Sequence, residues 1–359
     1  MKTFIMPEGS RVINFPLSSL GPNSTLDKYL QHCYILGDPH LGRKFKTGVP
    51  IHRLGDREQA VKVDFQESLI GLKPGRKFHV CMGDLFDKFT VPNEWVEFAY
   101  QTYREAALKF PAVTFIVIQG NHDASKDKSK VSSFEIFAEL CKPISNIKVL
   151  TEHPIFIPHD QLNFLFVPWT PFKTTSELLA LEFPLLNKVK NSPFVAFGHW
   201  DTKSHGEDIC ENIIPHDHFT RDCCDGVVTG HYHKPERTML KKIELFVTGS
   251  MQPYAHGEEA DDVDNPMYVT DTKANVEAKL IEDETFYKNK VLRVLVEQDD
   301  TPLAGIDCYA LTHKKTAPLG EENDVDVEID DFDIKGLFNS VMTEKGVSSE
   351  LTQELWAKL

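Results

Sequence analysis

Five short apolar runs recur along this chain, and each stops at a glycine followed closely by a polar residue able to do chemistry. Cys33-Tyr34-Ile35-Leu36 ends at Gly37-Asp38, Phe78-His79-Val80-Cys81-Met82 at Gly83-Asp84, and Thr114-Phe115-Ile116-Val117-Ile118 at Gly120-Asn121. Phe194-Val195-Ala196-Phe197 ends at Gly198-His199, and Val227-Val228-Thr229 at Gly230-His231. Apolar runs of this length, bounded by Gly, predict strands buried on both faces. Elsewhere the apolar spacing becomes helical. Trp95, Phe98, Ala99, Thr102 and Ala106 form a stripe on a helix from Asn93 to Phe110, entered after Pro92. Ser132 or Ser133 is placed to cap a second helix running through Leu140. The fold class expected is α/β. Met267-Tyr268-Val269 should complete the core sheet, and Val291 to Val296 should open a small further module.

The polar residues at the strand ends form five motifs in a fixed order: Asp38-Pro39-His40, Gly83-Asp84-Leu85-Phe86-Asp87, Gly120-Asn121-His122-Asp123, Gly198-His199 and Gly230-His231-Tyr232-His233. Open α/β sheets bind ligands just past strand C-termini. The glycines let the backbone turn sharply, so the side chains can face a common centre. Together the motifs supply Asp, His, Asp, Asn, His, His and His, enough ligands for two metal ions. Oxygen donors mixed with imidazoles suit Mn, Fe or Zn. One carboxylate between two ions is a usual arrangement for phosphoester cleavage. Any single motif is weak; the ordered set of five carries the reading.

Composition narrows the setting. The chain has 359 residues, 41% of them hydrophobic, enough for a large core plus a small accessory module. No apolar stretch is long enough to span a membrane, and the N-terminus lacks a signal-peptide core, so a cytoplasmic protein is expected. Seven scattered cysteines include no CxxC pair. The net charge is −15, which sits badly with a polyanionic substrate until its distribution is considered. Eight of the thirteen residues from Glu321 to Asp333 are acidic, and the rest of the chain carries only −7. Basic residues follow the motifs: Arg43, Lys44 and Lys46; Lys126, Lys128 and Lys130; Lys234 and Arg237. On the ligand-bearing rim they could hold phosphates, although lysines in loops are also ordinary solvation. Near the C-terminus, Ile334, Leu337, Phe338 and Val341 form one apolar stripe, and Leu351, Leu355 and Trp356 another.

The motif set resembles the calcineurin-like metallophosphoesterases. Asp38-Pro39-His40-Leu41-Gly42, Pro92, Val167-Pro168-Trp169 and Gly249-Ser250-Met251-Gln252-Pro253 make it most similar to the nuclease subunit of SbcCD-type recombination and repair complexes, phage-type members included. The resemblance covers roughly residues 32 to 283. It implies a two-sheet sandwich flanked by helices, with a small C-terminal cap and terminal docking helices. It divides the chain into an N-terminal extension (1–31), a nuclease domain (32–283), a reduced cap with acidic linker (284–333) and a helical docking segment (334–359).

The resemblance also implies roles. Asp38, His40 and His233 would hold one metal; Asn121, His199 and His231 the other; and Asp84 would bridge them. Two Mn²⁺ are expected, with Mg²⁺ as the alternative. His122 would contact the scissile phosphate and protonate the leaving oxygen. Asp123 would orient a neighbouring histidine, and Asp87 would stand behind the ligands or cap a helix. The DNA-binding candidates are Arg43, Lys44, Lys126 and Lys128. Leu337, Phe338, Leu355 and Trp356 would dock an SbcC-like coiled-coil ATPase, though such a tail could equally pack on its own core. Relatives dimerise through helices near motifs two and three, a role open to the Asn93–Phe110 helix, whose stripe reads equally as core.

The implied activity is exonuclease on duplex ends and endonuclease on single strands, in the cytoplasm, or the host cytoplasm for a phage protein. The alternative is a small-molecule phosphodiesterase or phosphatase using the same centre. The phosphoprotein branch usually has Glu where Asp123 stands, which argues against that branch. A scaffold with a dead site is disfavoured because all seven expected ligands are present.

Overall fold

The computed structural model describes residues 24–72, 75–127, 129–180, 193–202, 212–215, 218–219, 223–259, 265–297 and 300–316. All of these except 297, 315 and 316 belong to one compact unit. Lys128, the acidic run and Leu337, Phe338, Leu355 and Trp356 lie outside the described residues, as do residues 1–23 of the N-terminal extension.

The apolar runs form two stacked sheets. The first is parallel throughout, in the order β1 (Cys33–Leu36), β2 (Phe78–Cys81), β3 (Thr114–Ile118), β4 (Ile147–Leu150). The second runs β5 (Ile155–His159), β6 (Leu162–Phe166), β7 (Phe194–Gly198), β8 (Cys224–Thr229), β10 (Ile243–Val247), β9 (Glu236–Leu240). Its four central strands are parallel, and β5 and β9 are antiparallel edges. Between the sheets, Val80, Ile116 and Ile118 meet Phe164, Phe166, Val195, Phe197 and Val228 in one buried cluster. Phe166 and Phe197 stack with ring centroids 4.9 Å apart. Burying the aliphatic side chains of the first sheet against the rings of the second removes apolar surface from water and stabilises the sandwich.

Helices cover the outer face of the first sheet. α2 (Asp56–Ile70), α3 (Asn93–Lys109) and α4 (Ser133–Cys141) place Phe65, Trp95, Ala99, Tyr103 and Phe137 in a second cluster. The stripe on α3 is therefore core: Trp95, Ala99, Thr102 and Ala106 are all buried. Ser132 caps α4 in a reciprocal capping box with Glu135, the side chain of each accepting from the other's backbone N–H. Residues 24–31 of the N-terminal extension pack on the sandwich. The short α1 (Asp27–Leu30) buries Tyr29 and Leu30 in the inter-sheet cluster, and the Glu244 carboxylate accepts from the N–H groups of Thr25 and Leu26 at 3.1 Å each.

One expectation is corrected. Met267-Tyr268-Val269 does not complete a core sheet. β11 (Tyr268–Thr272) pairs in parallel with β12 (Val291–Val296), and β13 (Ala310–Lys315) completes a separate three-stranded sheet. The helix Lys273–Glu282 connects β11 to β12, so the expected border after residue 283 falls inside a β–α–β unit. The physical reason is burial. Val276, Leu292, Val294 and Val296 form their own cluster with Tyr287 and Cys308, and β11 can only share it by leaving the sandwich. Arg53 pins this module to the rest of the unit by donating to the Lys288 carbonyl at 2.8 Å and the Asp307 carboxylate at 2.6 Å.

Candidate metal centre

The five motifs meet where the C-terminal ends of β1, β2 and β3 face those of β7 and β8. Their approach depends on close backbone packing. Gly83 has a φ of 122°, and a side chain there would strike the His199 ring. A side chain at Gly120 would strike the Asp84 carboxylate. His40, Asp84 and His231 adopt left-handed φ values of 45°, 47° and 77°. Such conformations are costly away from glycine and concentrate at functional sites.

Two groups of donors result. Asp38, His40 and His233 form one, and Asp84, His199 and His231 the other. In the first, Nε2 of His40 and Nε2 of His233 lie 2.9 Å apart. In the second, the Asn121 side-chain oxygen lies 2.8 Å from Nε2 of His199 and 3.1 Å from Nδ1 of His231. Asp84 stands between them: its Oδ2 is 3.4 Å from Nε2 of His199 and 3.8 Å from Nε2 of His40. Its other oxygen accepts from the His122 N–H at 2.9 Å.

The other nitrogen of each of three rings is engaged, which leaves the remaining one facing the centre. Nδ1 of His199 donates to the Met82 carbonyl at 3.0 Å. Nδ1 of His233 pairs with Glu258 at 2.9 Å, and Nε2 of His231 with Asp201 at 2.8 Å. Such support fixes ring orientation and tautomer in metal sites.

The electrostatics suit bound cations. Oδ1 of Asp38 is buried without a hydrogen-bond partner, as is Nδ1 of His40. Burial pushes the Asp38 carboxyl up to about 6 and the His40 imidazole down to about 3. Burial also works against the Asp84 carboxylate, but His199 outweighs it and holds that group low. His199 in turn is raised: burial opposes its charge, and Asp84 and Asp38 overcome it. Two carboxylates this deep need a positive neighbour, and divalent cations held by the surrounding donors would provide it. The residues therefore fit a two-metal site.

The remaining candidates divide. His122 is at the rim with 43% of its side chain exposed; its Nε2 lies 4.0 Å from Asp84, and its Nδ1 donates to the Asp87 carbonyl at 2.7 Å. Asp123 is a correction. It is buried, and its carboxylate accepts not from a histidine but from the N–H groups of Gly120, Leu85 and Phe86 at 3.0, 3.1 and 2.9 Å. It ties the turn carrying Asp84 to the turn carrying Asn121, because a deep carboxylate is best satisfied by converging backbone donors.

Asp87 caps no helix, since α3 is entered from Pro92. Its carboxylate lies 3.7 Å from both Nδ1 of His40 and the Arg43 guanidinium. Arg43 packs 4.9 Å over the Tyr254 ring, beside the centre. Lys44 instead lies over Trp95 on α3, 5.8 Å from the ring centroid. Lys126 is exposed. Arg237 faces Asp27 at 2.7 Å and covers Phe246, so it is engaged in holding α1 rather than on the rim.

Asp201 and Glu258 were missed by the sequence reading. Asp201 has one signal in the sequence, its place two residues after His199. Glu258 had only its nearness to the Gly249–Pro253 motif. That motif is itself part of the site. Ser250 bridges to Asp38, and the buried Arg57 donates to both Gln252 and the Pro253 carbonyl, fixing the loop from α2.

A sandwich with paired metal-ligand groups at its strand ends defines a two-metal phosphoester hydrolase. The family model for calcineurin-like phosphoesterases matches residues 32–235, and the chain belongs to that family. No curated protein matches it significantly. Among solved structures, it is similar to a phosphopantetheinyl hydrolase from Mycobacterium tuberculosis (13% identity, TM-score 0.40), over 62% of this chain and 93% of that one. A dimetal phosphatase from Danio rerio gives 11% identity and a TM-score of 0.39, over 61% and 88% of the two chains. A putative 5'-nucleotidase from Staphylococcus aureus gives 14% and 0.38, over 61% and 48%. Likeness this distant says nothing about substrate. No helix among the described residues is long and apolar enough to cross a membrane.

Proposed function

We propose that this phosphoesterase is the nuclease subunit of a DNA recombination and repair complex, cleaving phosphodiesters at duplex ends and in single strands. The observation that carries the reading is His122. It is exposed at the rim, its Nδ1 is held by the Asp87 carbonyl, and its free Nε2 lies beside Asp84. A phosphodiester needs a proton on its leaving oxygen, and with Nδ1–H held by the carbonyl, Nε2 gives one from the imidazolium form of the ring.

Asp38, His40 and His233 would hold one ion, and Asn121, His199 and His231 the other, with Asp84 shared. When bound, such ions lower the pKa of water and neutralise charge on phosphate oxygens. The chain's own contribution is to fix the donors and deliver the proton. In cleavage, the oxygen of water bonds to phosphorus as the bond to the leaving 3′-oxygen breaks, that oxygen takes the Nε2 proton of the His122 imidazolium, and the proton water releases passes to solvent, from which His122 is reprotonated. Two Mn²⁺, with Mg²⁺ as the alternative, are the ions the resemblance implies; the donor mixture itself suits Mn, Fe or Zn. Arg43, Lys44, Lys126 and Lys128 are the DNA-contact candidates, and Arg43 lies beside the centre over the Tyr254 ring.

The subunit would work with an SbcC-like ATPase docked on residues 334–359. The test uses purified chain with Mn²⁺ on end-labelled linear duplex, closed circular duplex and a chromogenic phosphodiester, with Asp84→Asn as control. End-dependent loss of the linear duplex is expected. Turnover of the small ester alone, even after a coiled-coil ATPase is added, would assign a small-molecule phosphodiesterase instead. Truncation after Asp333 should spare the small ester and abolish ATPase binding; unchanged association would reject the docking role.

A further inference from the structure

A second donor group lies at the opposite end of the sandwich. His32 sits immediately before β1, six residues from Asp38, so about 20 Å of extended chain separates it from the metal centre. His159 ends β5, and Asp160 follows it. One donor atom from each of His32, His159 and Asp160 lies within 4.8 Å of the others. The two imidazoles meet edge to face, with centroids 5.3 Å apart and an interplanar angle of 82°. Nε2 of His159 is buried and makes no hydrogen bond; the Asp160 carboxylate oxygen, 3.0 Å away, falls outside hydrogen-bonding geometry. Convergence without hydrogen bonding is what a shared cation would explain.

The backbone holds all three in place. The His32 carbonyl accepts from the N–H groups of Lys77 and Phe78 at 2.9 and 3.0 Å. His159 pairs with Leu162 across the β5–β6 hairpin. Asp160 and Gln161 form its turn with φ of 47° and 67°, the two left-handed positions of a tight two-residue loop. His32 adjoins the edge strand β1 of the first sheet; His159 ends, and Asp160 follows, the edge strand β5 of the second.

We infer that His32, His159 and Asp160 bind a borderline divalent cation of the Zn²⁺ class and clasp the two sheets together at the end remote from catalysis. Two imidazoles and one carboxylate are a zinc-type donor set that leaves a fourth position for water. Donors around tetrahedral zinc lie roughly 3.3 Å apart, given bonds of about 2.0–2.1 Å. Small side-chain rotations would close the group.

The test counts bound ions. Metal-stripped full-length chain, His159→Gln and Asp160→Asn are each dialysed against Zn²⁺ and the bound equivalents measured by atomic emission. Each variant should bind one equivalent fewer than the natural chain, or bind it roughly 100-fold more weakly. Mn²⁺-dependent turnover of the chromogenic phosphodiester should be unchanged. Equal stoichiometry and affinity in all three proteins would overturn the inference and leave His159 and Asp160 an ordinary surface pair. The readout is a difference, so failure of the rim assignment would lower all three counts together and be told apart. Asp160→Asn guards against misfolding, because Asn tolerates the left-handed turn position.

Discussion

Two pairs of histidines at the rim are supported in opposite ways. His199 and His122 lean on the backbone, through the carbonyls of Met82 at 3.0 Å and Asp87 at 2.7 Å. His231 and His233 lean on carboxylates, through Asp201 at 2.8 Å and Glu258 at 2.9 Å. A carbonyl support comes with the strand and its turn, and no substitution of a side chain removes it. A carboxylate support adds negative charge, makes the ring a stronger ligand, and can be tuned or lost by one change. The backbone-held pair is therefore fixed by the fold, and the carboxylate-held pair is where metal affinity is adjustable.

The largest effect belongs to the residue between the pairs. Asp84→Asn should lower kcat/KM for a chromogenic phosphodiester on the order of a thousandfold, several kcal/mol of charge stabilisation. It should also reduce bound Mn²⁺ at the rim. Near-normal turnover with full metal content would refute its shared position. Next comes His122→Ala, which should cost about 10²–10⁴-fold on DNA, the span of a general acid, while metal content stays full. A p-nitrophenolate leaving group needs little protonation, so the loss on that ester should be far smaller. An equal loss on both substrates would show that His122 binds phosphate rather than delivering a proton.

The same contrast explains what the sequence could disclose. Each rim strand was legible because an uninterrupted apolar run ended at a glycine, and the helix from Asn93 was legible from its stripe. Backbone supports need no sequence signal, since Met82 supplies its carbonyl whatever its side chain. Carboxylate supports do need one, but Asp201 and Glu258 lie in loops where acidic residues are common. Asp123 misled for a related reason. An acid next to metal-site histidines suggests a histidine partner, whereas three converging N–H groups, invisible in sequence, claimed it. The departure of β11 from the sandwich was equally hidden. Tyr268 and Val269 are as apolar as a core-strand segment, and only the remote Val276, Leu292 and Val294 decide which core they join.

Smaller effects would sharpen the comparison. Glu258→Gln and Asp201→Asn should each raise the Mn²⁺ concentration for half-maximal activity about 10–100-fold, with kcat recovered at saturating metal. An unchanged metal dependence in both would mean that carboxylate and carbonyl supports are equivalent here. The smallest effect falls on Arg43, which contacts neither pair and lies between the Asp87 carboxylate and the Tyr254 ring. If it holds a DNA phosphate, Arg43→Ala should raise KM for duplex DNA a few-fold and lower the slope of log affinity against log salt by about one. The small ester has no neighbouring phosphate to reach this side chain, so its KM should not move. A matching rise on both substrates would relocate the role of Arg43 to the ligands, acting through Asp87 on His40, and would leave the DNA contacts to be sought among the lysines of the rim.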